Sequence, residues 1–261
     1  FRQDEKPLTE LGEWMRAAVG YKASRELRVM RFGDNMREVA VTEGDKVEAQ
    51  IKFGWQVNTW PVGYLAEEIK NVAESEIDEK IDEYRKRYSF ATDDIATVRY
   101  QAREELAMRH LFKNEKIGAF CNTFQDLYGM EQLPGLASQN LMADGYGYGA
   151  EGDWKLAALT AVVKAMTEGM SGGTAFMEDY TYHFDNGNDL VLGSHMLEVC
   201  PGIATDAKPL LDVQPLGIGG NAAPARLIFN TRTGPAIVAS LIDPGPRFRP
   251  LVTTLDTVNT P

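Results

Sequence analysis

The chain has 261 residues, 44% hydrophobic and 25% charged, with a net charge of −11 and two cysteines; that suits a globular protein of one large or two smaller domains with a sizeable core. The negative balance argues against nucleic acid or an anionic membrane surface as partner, and no run of about 18 apolar residues offers a membrane span. Cys121 and Cys200 form no spaced motif, so reduced thiols in a cytoplasmic protein are expected rather than a disulfide framework or a zinc knuckle.

The start, FRQDEKPLTEL, resembles neither a signal peptide nor an initiator, and the final VNTP follows directly on a strand-like run; both ends read as cuts through a longer protein. Thr9 is placed to cap a helix to about Val19, with Leu8, Leu11, Met15 and Val19 forming one apolar stripe. Leu27–Phe32 predicts a short strand, Asp45–Phe53 a helix with Val47 and Ile51 inward, Val57–Trp60 a strand, and Tyr64–Val72 a helix. Ser75–Tyr88 is amphipathic at helical spacing, its acidic residues first and basic residues last, as the helix dipole favours. Asp93 or Asp94 opens a longer helix to about Lys113, with His110 near its end read as structural. Gly118–Phe124 predicts a buried strand, and Gln132–Met142 a helix with Pro134 at its start. Such alternation implies an α/β layer with a largely parallel sheet.

From Gly172 onward the period changes from helical to alternating. Strands are expected over 174–184, 189–199, 210–216, 225–231, 235–242 and 248–256, forming an antiparallel sheet or incomplete barrel. The expected organisation is a helix remaining from a preceding domain (1–20), a central α/β domain (21–172) and an antiparallel β domain, incomplete (173–261).

Three residues stand out chemically. Asn186-Gly187 favours a two-residue hairpin turn, which puts Glu178 directly opposite His195 with Cβ atoms about 4.5–5.5 Å apart. That pair is either a half-buried histidine satisfied by a carboxylate or two ligands of a divalent metal. Alternation groups Glu178 with Phe176, Tyr180, Tyr182 and Phe184, where an unpaired charge is costly, and sends His183 to the other face opposite Leu190. Glu151, in the Gly-rich loop YGYGAEGDW, precedes a helix that Asp153 caps; it is either a ligand or an ordinary loop carboxylate. Gly217–Gly220 lacks the Lys-Ser/Thr of a phosphate loop and reads as an inter-strand connection. Asp34-Asn35 and Asn58 end short strands, where α/β sheets place ligand contacts.

The blocks EGDWK, GGTAFMEDYTYHF and GSHMLEVCPGI, together with RFGDNMREVAVTEGDKVEAQIKFG, QLPGLASQNLM, LDVQPLGIGG and PARLIFNTRTGPAIVASLID, resemble the L-arabinose isomerase family over nearly the whole chain. The resemblance implies a fucose-isomerase-like central domain and an aldose–ketose isomerase converting L-arabinose to L-ribulose and D-galactose to D-tagatose. It implies Mn²⁺, or another divalent cation such as Co²⁺ or Mg²⁺, held by Glu151, Glu178 and His195. The two glutamates serve as acid and base, and Met30, Phe124, Phe176 and Ile218 line the sugar pocket. It further implies a cytoplasmic homo-oligomer, a hexamer in the intact family. The family's N-terminal domain and its second histidine ligand, in a GGAHH-type motif, are not in this sequence, so weak metal binding and low turnover are expected. Two other readings stand beside it: a non-catalytic sugar-binding or assembly fragment, and a fucose-isomerase-type enzyme.

Overall fold

The computed structural model describes residues 5–185, 187 and 189–259. Its centre is a four-stranded parallel sheet of β1 (Arg28–Phe32), β2 (Gln56–Trp60), β4 (Ala119–Asn122) and β5 (Gly147–Gly149), in the order β2-β1-β4-β5. Helices α1 (Glu5–Arg25), α2 (Lys46–Phe53), α3 (Val62–Asn71), α4 (Glu74–Arg87), α5 (Ile95–Glu115), α6 (Gly135–Ala143) and α7 (Trp154–Thr167) surround it. No described helix is long and apolar enough to cross a membrane.

Alternation along the central strands divides the core in two. Met30, Phe32, Phe120 and Tyr148 enter a large cluster with Ile77, Ile81 and Tyr84 of α4 and with Met108 and Phe112 of α5. Val29, Ala119 and Cys121 face the other way and meet Trp154, Ala157 and Ala158 of α7. Both faces of the sheet are therefore covered, as parallel sheets require. On the second face Arg31 is buried, and its guanidinium bonds Glu43 at 2.7 Å and Asp34 at 2.9 Å. Beside it Lys155 is also buried and bonds the carbonyls of Val41 and Glu43.

Capping follows the sequence at α5 and α7 but not at α1, where Thr9, expected as the cap, lies inside the helix and donates its hydroxyl to the Glu5 carbonyl. Asp45 accepts from the Glu48 amide, Asp94 from Thr97, and Asp153 from Lys155 and Leu156. Two apolar assignments are corrected. The stripe Leu8, Leu11, Met15 and Val19 is solvent-exposed, and so are Val47 and Ile51. α1 docks through the opposite side: Gly20 sits against Met166 and Val162 of α7, and the Arg16 guanidinium donates to the Met166 and Glu168 carbonyls. In α2 the inward residue is Ala49, and Phe53 at its end packs tilted against Trp55 with ring centroids 4.6 Å apart.

Six strands follow residue 172 as expected: β6 (Glu178–His183), β7 (Leu190–Ser194), β8 (Leu210–Val213), β9 (Ala225–Ile228), β10 (Gly234–Ile242) and β11 (Arg249–Thr257). They do not form one antiparallel sheet. Among the described residues β6 pairs only with β7, and β10 only with β11, whereas β8 and β9 extend from β3 (Ser89–Phe90), a strand of the α/β half that pairs parallel with β8. Leu211, Ala225 and Leu227 accordingly pack in the same core cluster as Met30 and Phe120. Ser89–Phe90 is too short and too polar at its first position to announce itself by periodicity.

Gly147 and Gly149 set the spacing between β5 and α7. A Cβ at Gly149 would lie 2.1 Å from the Asp153 carbonyl, and one at Gly147 2.1 Å from the Ala157 carbonyl. These are rigid backbone atoms, so a methyl group can be accommodated only by moving the helix. Gly149→Ala is expected to destabilise the protein by about 1–3 kcal/mol. Gly63→Ala, at a helical glycine with open space around it, should be neutral or slightly stabilising; paired thermal melts check the contrast.

Candidate active site

The carboxyl ends of β4 and β5 open onto a cavity lined by Asn122, Phe124, Tyr148, Glu151, His195, Glu198 and Ile218, among others. Ligands of open parallel sheets bind at this edge. Glu151 is one of three described non-glycine residues with positive φ, at +57°, a conformation that costs about 1–3 kcal/mol and persists only where its surroundings enforce it. Here its carbonyl accepts from the Met36 amide at 2.8 Å, and the next amide, of Gly152, donates to the Asn122 carbonyl at 2.8 Å. Gly152 has φ +79°, and a Cβ there would meet the Asp34 carbonyl at 2.4 Å. The loop is thus pinned on both sides, with Asp153 immediately starting α7.

The hairpin supplies the second half of the site. Near its turn the register is the expected one, with His183 opposite Leu190 and Tyr182 opposite Val191. The turn assignment itself, on Asn186-Gly187, involves a residue outside those described. A bulge between Asp179 and Thr181 then shifts the pairing by one, so Glu178 faces Ser194 and not His195. The direct opposition expected from the turn is therefore corrected, because a uniform register cannot pass through an unpaired Tyr180. The two side chains still meet: Glu178 Oε1 lies 3.7 Å from His195 Nε2. On the other ring nitrogen, His195 Nδ1 is 2.5 Å from Glu198 Oε2. Phe176 packs edge-on against the imidazole at 5.3 Å and against Tyr148 at 5.4 Å.

Electrostatics follow from this crowding. Burial raises the Glu178 carboxyl above the usual carboxylate range; His195 partly offsets this, while Glu151 and Glu198 add to it. Burial alone would lower His195, but the charge and hydrogen bond of Glu198, then the charges of Glu178 and Glu151, outweigh it and leave its pKa raised. Tyr148, wholly buried, is raised by desolvation and by Glu198. The site carries more negative charge than its one imidazole can balance.

Phe124, Glu151, His195 and Ile218 thus line one cavity, with Glu178 and Phe176 in contact with His195. Met30 is elsewhere: it is fully buried mid-strand, paired with Asn58 and Phe120, and does not line the cavity. His183 is exposed at the end of β6, and His110 bonds Glu76 at 3.1 Å on the far side of α5. Asp34 and Asn35 are engaged with Arg31. Gly217–Gly220 connects β8 to β9 and carries Ile218 to the cavity. Sequence reasoning did not find Glu198, Tyr148 or Asn122. The spacing of His195 and Glu198 (i, i+3) was a signal that could have revealed the first; nothing in the pattern singled out the others.

Two carboxylates and an imidazole nitrogen are the donor types that divalent cations such as Mn²⁺ take, and the excess negative charge favours one. Among the described residues, however, no three His, Cys, Asp or Glu side chains stand close enough together to hold an ion as placed. Glu151 lines the same cavity but is not closed onto the Glu178–His195 pair.

A cavity at the carboxyl edge of a parallel α/β layer, met by a carboxylate–imidazole pair from a hairpin, lies where such sheets take ligands. Residues 28–169 match the L-arabinose isomerase central domain and residues 173–261 the L-arabinose isomerase C-terminal domain. The chain belongs to the L-arabinose isomerase family. It is 59% identical to an L-arabinose isomerase of Klebsiella pneumoniae subsp. pneumoniae over 265 residues, and 58% identical to one of Salmonella typhimurium over the same length. Each alignment covers 99% of this chain and 53% of the relative, so the chain spans about half the length of the curated relatives it matches.

The raised acid constants give a stability signature. Unfolded, the Glu178 carboxyl titrates near 4.5 and the His195 imidazole near 6.5; folded, both hold their protons more tightly. Their contribution is fully present below those values and is lost as pH rises through the folded constants. With chelator present, thermal stability should fall as pH rises above 6.5, and His195→Asn should flatten that fall; melts across the range read it directly.

Proposed function

We propose that this chain carries the catalytic carboxylates of an aldose–ketose isomerase that interconverts L-arabinose and L-ribulose, with D-galactose to D-tagatose as a side reaction. The observation that supports it most is Glu178 within 3.7 Å of His195, beside a cavity that Glu151 also lines, in a chain 59% identical to an L-arabinose isomerase.

In this reading Glu178, Glu151 and His195 would hold a divalent cation, Mn²⁺ first, with Co²⁺ or Mg²⁺ as substitutes. Bound there, the cation would supply Lewis-acid stabilisation of the negative charge that develops on the sugar oxygens. Glu178 takes the proton from C2 of the aldose and returns it to C1. The C2–H electron pair becomes the C1=C2 bond of an enediol, and Glu151 carries the proton that moves from O2 to O1. Phe124 and Ile218 wall the cavity, while Phe176 fixes the plane of the His195 ring. The sugar contact given to Met30 finds no support in its buried, mid-strand position.

The chain has three histidines, and two of them stand away from the site. Three protein donors leave an octahedral cation with several open positions, which fits slow turnover by this chain alone. The exposed apolar side chains of α1 and of β10–β11 fit self-association into a homo-oligomer. A cytoplasmic location is proposed on the same family grounds.

The test is ketose formation from L-arabinose with Mn²⁺ in D₂O, followed by mass spectrometry of the recovered sugar. Transfer through a carboxylate exchanges the migrating proton with solvent, so deuterium should appear at C1 of the ketose. Glu178→Gln should lower the rate by about 10²–10⁴-fold. A Glu178→Gln chain as fast as the parent would refute the reading.

A further inference from the structure

We infer that Glu198, anchored by Tyr148, is the positioning residue that fixes the tautomer and orientation of His195. This deepens the metal reading above and rests on it. Glu198 is only 6% exposed, a position at which a carboxylate is costly unless its oxygens are occupied. Both are. Oε2 accepts from His195 Nδ1 at 2.5 Å, and Oε1 accepts from the Tyr148 hydroxyl at 3.1 Å. Tyr148 is itself fully buried on β5, with Asn122 Oδ1 of β4 at 3.4 Å. Glu198, on the same segment leaving β7 as its histidine, is therefore tied through Tyr148 to the rigid parallel sheet.

The consequence for the ring is specific. A neutral imidazole carries one proton, and the nitrogen that donates to a carboxylate keeps it. With Nδ1–H held by Glu198, the lone pair of Nε2 is left facing Glu178 Oε1 at 3.7 Å. Carboxylates that accept from the far nitrogen of a ligating histidine set its orientation and strengthen its donor lone pair. Phe176, edge-on at 5.3 Å, closes one side of the ring but offers no hydrogen bond, so the polar hold comes from Glu198.

Two independent readouts on the 261-residue chain test this. The first is the His195 tautomer without metal, from two-dimensional ¹⁵N–¹H correlation at a pH alkaline enough for the imidazole to be neutral. The parent and Glu198→Gln, whose amide oxygen can still accept, should show the Nδ1–H form; Glu198→Leu should shift the population towards Nε2–H. The second is Mn²⁺ affinity by electron paramagnetic resonance of the free ion. Glu198→Leu should weaken it by about 10–100-fold and Glu198→Gln by clearly less. An unmoved tautomer in Glu198→Leu overturns the positioning role. So does equal loss of affinity in Glu198→Gln and Glu198→Leu, which would make Glu198 a direct ligand. If the parent takes up no Mn²⁺, the metal reading fails, and the tautomer result still decides the role of Glu198. Should Glu198→Leu not fold, the near-isosteric Tyr148→Phe is read instead: a severalfold loss of Mn²⁺ affinity supports the anchor, and unchanged affinity overturns it.

Discussion

The close seating of α7 on β5 is the contact on which the site depends. Gly147 and Gly149 let the helix backbone approach where any side chain would collide. That proximity leaves only a short connection between strand and helix, and Glu151 occupies it at φ +57°. The loop has little freedom, since Met36 and Asn122 bind its backbone from two sides. On the far face, Trp154 is buried and its indole donates to Glu43, which also receives Arg31. A carboxylate at the cavity edge is thus supported by a dry helix–sheet contact and a buried ionic cluster. This is the sense in which packing precedes chemistry in this fold.

The hairpin contributes by a different device. Its two-stranded sheet has little burial of its own, with Tyr180, Tyr182, Leu190 and Val191 exposed, and its active end is held by side chains that reach back into the α/β core. Phe176 packs edge-on against Tyr148, and the chain after β7 is fastened by Glu198 on Tyr148 and by the Arg226 guanidinium on the Met196 carbonyl. The charge excess around His195 and the raised affinity of Glu178 for its proton come from forcing these anchors into one place. Favourable packing and unfavourable electrostatics are two results of the same convergence.

Much of this was legible in the residues. The parallel layer followed from the alternation of short strands and helices, the caps of α5 and α7 from Asp94 and Asp153, and the grouping of Glu178 with His195 from a turn dipeptide and a count along two strands. What escaped had physical reasons. The bulge at Tyr180 is a local choice of backbone geometry that no periodicity marks, so the expected opposition was wrong by one residue although the side chains still met. The stripe on α1 had helical spacing but no way to say which side finds a partner, and the smallest residue, Gly20, turned out to make the contact. Glu198 stood at a telling spacing from His195, but its burial went unread because its other partner, Tyr148, is distant in sequence.

The strand β3 is only two residues long, yet it receives β8 from the other half of the chain. Its backbone partners at Pro209 and Leu211 arrive only after the intervening helices and strands have been made. Pairings so distant in sequence are entropically slow to form and close late. Until they do, Leu211 and Leu227 remain outside the cluster that finally buries them, so two residues of backbone pairing join the carboxyl half of the chain to the core of the amino half.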